Sequence, residues 1–214
     1  MLPFSLRRRR FLWQSLLLSL TLSRKGNASE WQQGIRRLQG ELLVDGQPAM
    51  PGTRIYPGQT VASGADSRTV LVMGQDAFLL GERSKVTFDA ANPADERQHS
   101  PGLTLHHGRL LSVFGSGKKN LKLPSASIGI RGTGIFLQSE AQEDYLCLCY
   151  GKADLHLLGS ETYQEFLDSK HHTARWLAAG RPVRPGNLVN HNDEELFMLE
   201  ALTGRVPSFS DSHY

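Results

Sequence analysis

The chain holds only two cysteines, and they stand two apart as Cys147-Leu148-Cys149. Residues i and i+2 of an extended strand share a face, so both thiols point the same way. Their Cα atoms then lie near the upper limit for a bridge, and a mutual disulfide would be strained. Two thiols on one face suit a different chemistry. With one or two imidazoles they make a tetrahedral set for Zn²⁺, or for a softer ion such as Cu⁺. His171-His172 follows downstream and His191 lies further on. The pattern supports a metal clasp made by Cys147, Cys149 and one or both of His171 and His172, pinning the C-terminal segment to the body of the protein. The alternative is that the cysteines are small buried apolar side chains and the histidines surface residues. Thiol exchange fits less well, because such enzymes place a reactive thiolate at a helix N-terminus and these surroundings read as strand.

The second distinctive stretch is ASIGIRGTGIFL, residues 126–137. Two apolar alternations, Ile128 with Ile130 and Ile135 with Leu137, meet at Arg131-Gly132-Thr133-Gly134. Glycines this close inside a strand pattern predict a bulge or tight corner where backbones approach. Arg131 at that corner has two possible roles. Its guanidinium could pair with a carboxylate and staple the bend, or it could present a fork to an anionic partner or glycan.

Other candidates are weaker. His106 and His107 would diverge on alternate faces of a strand end, as solvated turn residues. Asp45 and Asp76 most simply serve their turns. The carboxylates are scattered without a convincing acid/base pair, and Gly132-Thr133-Gly134 lacks the spacing of a nucleophile elbow. GSGKKN, residues 115–120, lacks the spacing and following hydroxyl of a phosphate loop. The expectation is a protein that is not an enzyme.

The elements that must position these residues are mostly strands. Twenty-one glycines favour many turns over long helices. Strand signals recur at 41–44, 69–73, 77–80, 85–88, 103–105, 109–114, 122–130, 135–138, 145–150 and 152–158, separated by Asp-Gly, Pro-Gly and similar turn signals. Such spacing predicts an all-β fold, an antiparallel sandwich or jelly roll. Residues 29–40 read as a leading segment, either a short helix or a strand. Residues 161–168 and 173–179 read as helical turns. Asn192 caps a helix from Asp193, with Glu195 placed for a capping box. Leu196, Leu199 and Leu202 form its apolar face, and Gly204 stops it. So short a helix is marginal alone and must dock on the body or on a partner.

Read in order, these pieces resemble the periplasmic domain of the FecR family over about residues 40–157. The positions that carry the likeness are Gly58, Gln59, Val61, Ser63 and Gly64, then Gly74 and Asp76, then Leu105, Gly108 and Leu110, then Ile130, Arg131, Gly132, Thr133 and Phe136. The resemblance implies a FecR-like β domain over 41–160 followed by a C-terminal segment over 161–214. Familiar members place a cytoplasmic anti-sigma segment and a membrane helix ahead of this domain and relay a signal inward. Here the sequence leaves no room for that segment, so a binding or signal-relay module is expected in place of direct anti-sigma action.

The reason lies in residues 1–28, which read as an export signal with a basic run, then Phe11-Leu12-Trp13 and a leucine-rich stretch. Arg8-Arg9-Arg10-Phe11-Leu12 follows the twin-arginine pattern. Gly26-Asn27-Ala28 supplies small residues for cleavage after Ala28, while Arg24 and Lys25 leave open an uncleaved membrane anchor. The expected location is periplasmic. The formal net charge of +3 owes much to the arginines at 7–10, so a processed protein would be near neutral. No clustered basic and aromatic surface suggests nucleic acid. The expected partner is an unidentified periplasmic or envelope protein, or a cell-wall ligand.

Overall fold

The computed structural model describes residues 33–90, 102–159 and 163–210. The expected export signal, with any membrane anchor it provides, lies outside the described residues, as does most of the polar loop expected near 89–101. Among the described residues no helix is long and apolar enough to cross a membrane.

The chain is all-β with one short C-terminal helix. Among the described residues, fourteen strands form one hydrogen-bonded sheet. The N-terminal half supplies β1 (Gly34–Gln39), β2 (Leu42–Val44), β3 (Gln47–Pro48), β4 (Thr60–Ser63), β5 (Arg68–Met73), β6 (Asp76–Leu80) and β7 (Lys85–Phe88). The leading segment is therefore a strand; Gly34 and Ile35 are buried against β5. Then come β8 (Gly102–Val113), β9 (Lys118–Lys122), β10 (Ala126–Ser139) and β11 (Asp144–Leu157), three of them long enough to serve two sets of neighbours. Residues β12 (Gln164–Ser169) and β13 (Thr173–Leu177), expected as helical turns, are strands because β11 offers them a free edge. β12 pairs with its second half and β13 with its first. β14 (Arg184–Gly186) completes that margin. Among the described residues all pairings are antiparallel except β8 with β9, which run parallel.

Alternation along the long strands divides the apolar residues between two cores. One lies on one face of the sheet and draws on nearly every strand, with Phe78, Phe88, Leu105, Leu110, Ile128, Ile135, Leu146 and Leu155 among its members. The second lies on the opposite face and includes Val70, Leu79, Val113, Phe136, Tyr145, Cys147 and Cys149. Helix α1 (Asp193–Leu202) lies over this second face. Leu196 and Leu199 are fully buried there and Leu202 is partly so. Asn192 and Glu195 form the expected capping box. At the far end of α1, Glu200 accepts from the Tyr150 hydroxyl and pairs with Arg205, which also reaches the Gln75 carbonyl.

The Arg131–Gly134 break is a bulge: β10 loses register with β11 between these two residues. Gly132 has φ +58°, a left-handed backbone that favours glycine. Gly134 is required for space, because a Cβ there would stand 2.3 Å from Cε1 of Tyr150. Tyr150 is buried and tethered to Glu200, so its ring cannot yield easily. Gly134→Ala is expected to cost about 1–3 kcal/mol by overpacking, read as a lower midpoint in urea at unchanged m-value. Stability equal to wild type would contradict this account.

Candidate metal centre

Residues Tyr145 to Cys149 lie in the middle of the sheet, where β11 runs between β10 and β13. Period-two geometry sends Leu146 and Leu148 to the first core and Tyr145, Cys147 and Cys149 to the helix-covered face. Both cysteines are free thiols and fully buried.

The β12–β13 turn delivers the third group. His172 occupies a left-handed backbone conformation, φ +49°, uncommon for a residue with a side chain. Its amide donates to the Cys149 carbonyl at 2.9 Å. This turn geometry brings Nδ1 of His172 to 3.5 Å from Sγ of Cys147. The fourth group comes from the residue before the α1 cap. Nε2 of His191 lies 3.5 Å from Sγ of Cys149. The His191 ring stacks on Phe136 with centroids 4.4 Å apart and planes 12° apart.

Four ligand atoms, two sulfurs and two imidazole nitrogens, thus lie within 4.8 Å of one another. Zn–S bonds of about 2.3 Å and Zn–N bonds of about 2.0 Å at a tetrahedral angle place S and N about 3.5 Å apart. The two measured S···N separations match that edge. The outer partners of the rings are also in place. Nδ1 of His191 donates to the Val189 carbonyl at 2.7 Å, which turns the lone pair of Nε2 toward Cys149. Nε2 of His172 meets the Asp193 carboxylate at 2.8 Å, which leaves Nδ1 facing Cys147. Carbonyl and carboxylate partners of this kind orient metal-binding imidazoles.

Electrostatics favour one thiolate in the cluster. A hydrogen bond from the Cys149 thiol, with one from the His172 ring, holds Cys147 down to about 3 against the opposing effect of burial. Burial and the adjacent Cys147 push Cys149 upward. Burial alone would lower His172, but its bonds to Cys147 and Asp193 outweigh this and raise it. These directions favour the thiolate at Cys147, the form of a cysteine that binds a cation.

The two cysteines and His172 come together as the sequence suggested, whereas His171 does not join the sulfurs. Its Nε2 faces both Asp193 oxygens, at 3.0 and 3.1 Å, on the outer side of the turn. The left-handed backbone of His172 turns its own ring to the sulfurs and leaves the adjoining His171 ring, 4.5 Å away between centroids, on the outside. His191 takes the fourth position; its only local signal is its place just before the helix cap. Asp193 was legible as a first-turn helix acid but not as the support of His172. Arg131 is exposed and has no carboxylate partner among the described residues, so it does not staple its corner. His106 is exposed, with Nε2 2.9 Å from the Thr87 hydroxyl.

This division of roles predicts unequal effects on metal affinity. Asp193→Ala is expected to weaken binding by about 10–100-fold, the usual effect of removing an outer partner, whereas His171→Ala should change it little. Competition with a chromophoric chelator measures both. Equal losses would mean that His171 is a ligand.

No family model matches the sequence, and no curated protein matches it. Among solved structures, a candidate anti-sigma factor from Parabacteroides distasonis ATCC 8503, determined at 1.65 Å and again at 2.50 Å, superposes with a TM-score of 0.49 at 8% identity. The superposition covers 60% of this chain and 59% of that protein's length.

Proposed function

We propose that this chain is an exported, non-enzymatic binding module of the FecR-like kind, in which one thiophilic d¹⁰ ion, zinc as first choice, fastens the C-terminal segment to the sheet. The carrying observation is the convergence of Cys147, Cys149, His172 and His191 with S···N separations of 3.5 Å and both rings already oriented from behind. All four positions of a tetrahedron are taken by protein, which is the closed arrangement of a structural site; a catalytic zinc keeps one position open. The metal therefore supplies shape, and function lies in the surfaces that the shape presents. Motif order supports the relay reading, and the basic and leucine-rich residues of 1–28 support export.

Elemental analysis of protein reconstituted with zinc and freed of excess metal tests the site. One ion per chain is expected, and Co²⁺ substitution should give the visible bands of a tetrahedral S₂N₂ centre. Reconstituted protein without bound metal, or with an octahedral Co²⁺ spectrum, would refute it. For export, the mature N-terminus of protein from a periplasmic fraction should begin at Ser29; an intact leader in the cytosol would refute that part.

A further inference from the structure

The outer face of β9, β10, β11 and β12 carries a row of charge that packing does not account for. Lys118 stands directly across from Arg131, and Arg131 directly across from Lys152. Neighbouring strands are about 4.8 Å apart, so the backbone positions that bear these three cations span about 10 Å. Like charges directly opposite each other destabilise a sheet. Only the outer end of the row is relieved, where Lys152 meets Asp168 at 3.3 Å. Lys118 and Arg131 are exposed and have no ion pair among the described residues.

The next row differs in kind. Asn120 faces Gly129, Gly129 faces Asp154, and Asp154 faces Phe166. Phe166 is 59% exposed, the ring lying 6.0 Å from the Lys152 ammonium. Gly129 leaves the middle of the row empty, and folding does not require it. A Cβ there would meet only Asp154, at 3.7 Å or more, which is ordinary contact, and its φ is not left-handed. The two rows border a groove of about 690 Å³.

We propose that this groove is a binding site for an acidic saccharide, a sugar chain bearing carboxylate or phosphate groups. The cation row takes the anionic substituent, with the Arg131 fork as its centre. Asn120 donates to hydroxyls and Asp154 accepts from them, while a sugar ring lies over the Gly129 trough against Phe166. A bare phosphate would have no use for the amide, the carboxylate or the aromatic ring. A flat anionic membrane would meet Asp154 and Asp168 as repulsive charges. The proposal stands independently of the metal centre, which lies on another part of β11.

Metal-loaded full-length protein is titrated calorimetrically with a galacturonate oligomer, a phosphosugar, a neutral maltooligosaccharide, inorganic phosphate, and vesicles of anionic phospholipid. Binding of the galacturonate oligomer or the phosphosugar at least tenfold tighter than the neutral sugar and phosphate is expected, and the stronger of the two identifies the anionic group. Arg131→Gln and Phe166→Ala should each weaken that binding about tenfold without loss of metal. Gly129→Val is the decisive variant. It fills the trough with a good strand former, so stability should hold or rise while binding is lost. The idea is overturned if phosphate or vesicles bind as tightly as the acidic sugars, if no acidic sugar binds, or if Gly129→Val binds as wild type does.

Discussion

Stripping the metal with a strong chelator should lower the thermal midpoint of the wild-type protein by roughly 8–16 °C. An ion that binds only the folded chain adds about 4.1 kcal/mol at a free concentration of 1,000 Kd, and each kcal/mol moves the midpoint of a chain this long by about 2–4 °C. The loss should be local before it is global. His191 is one residue from the α1 cap and Asp193 is its first helical residue, so the ion ties this helix to β11 and to the β12–β13 turn. Amide hydrogens of 189–202 should exchange faster without metal, while those of β8 and β10 keep their protection. The variant with both Cys147→Ser and Cys149→Ser should melt low and ignore added zinc. A wild-type midpoint indifferent to both chelator and zinc would remove the metal from the account of this fold.

An equally large effect is expected at a pair the sequence did not reveal. Asp76 reads as a turn residue, yet its side chain is 1% exposed and lies 2.9 Å from the ammonium of Lys119, itself 5% exposed. The other carboxylate oxygen accepts from the Gly115 amide at 2.9 Å. The β5–β6 turn is thereby fastened to the connection between β8 and β9. Asp76→Ala would take the carboxylate from a buried ion pair, and breaking a buried pair from one side costs about 3–5 kcal/mol. Replacing the other half as well, with Lys119→Met in the same chain, should recover most of that loss, because a buried pair exchanged for apolar groups is often close to neutral. The Gly115 amide would still lack its acceptor, leaving a deficit of about 1–3 kcal/mol. Urea unfolding of the three variants measures the cycle. A double variant no better than Asp76→Ala would show that the carboxylate acts through Gly115 alone.

What the sequence reveals follows from the range of the interaction. Period two is local, so the shared face of Cys147 and Cys149 and the bulge at residues 131–134 are legible residue by residue. The α1 cap is equally local, with donor and acceptor three residues apart. The choice between His171 and His172 is not, because it turns on one left-handed residue whose conformation depends on the Cys149 carbonyl above it. His191 is further out of reach, 42 residues from its sulfur partner. Residues 161–168 and 173–179 read as helical turns for a related reason. In β12, Phe166 is exposed and its neighbour Leu167 is buried, an alternation too short to distinguish from a helical turn. The free edge of β11 decides the matter, and no window of sequence shows that edge. The parallel run of β9 beside β8 likewise depends on where β10 returns.

The four ligand atoms belong to three separated stretches of chain: one strand, one turn and the approach to one helix. No isolated piece of the polypeptide can retain the ion, since capture requires strand, turn and helix approach to have met. Selection among competing metals is therefore made wherever folding ends, and there supply weighs as heavily as intrinsic preference. A chain that finished folding before crossing a membrane would carry the ion of the compartment it left; one that finished afterwards would carry the ion of its destination.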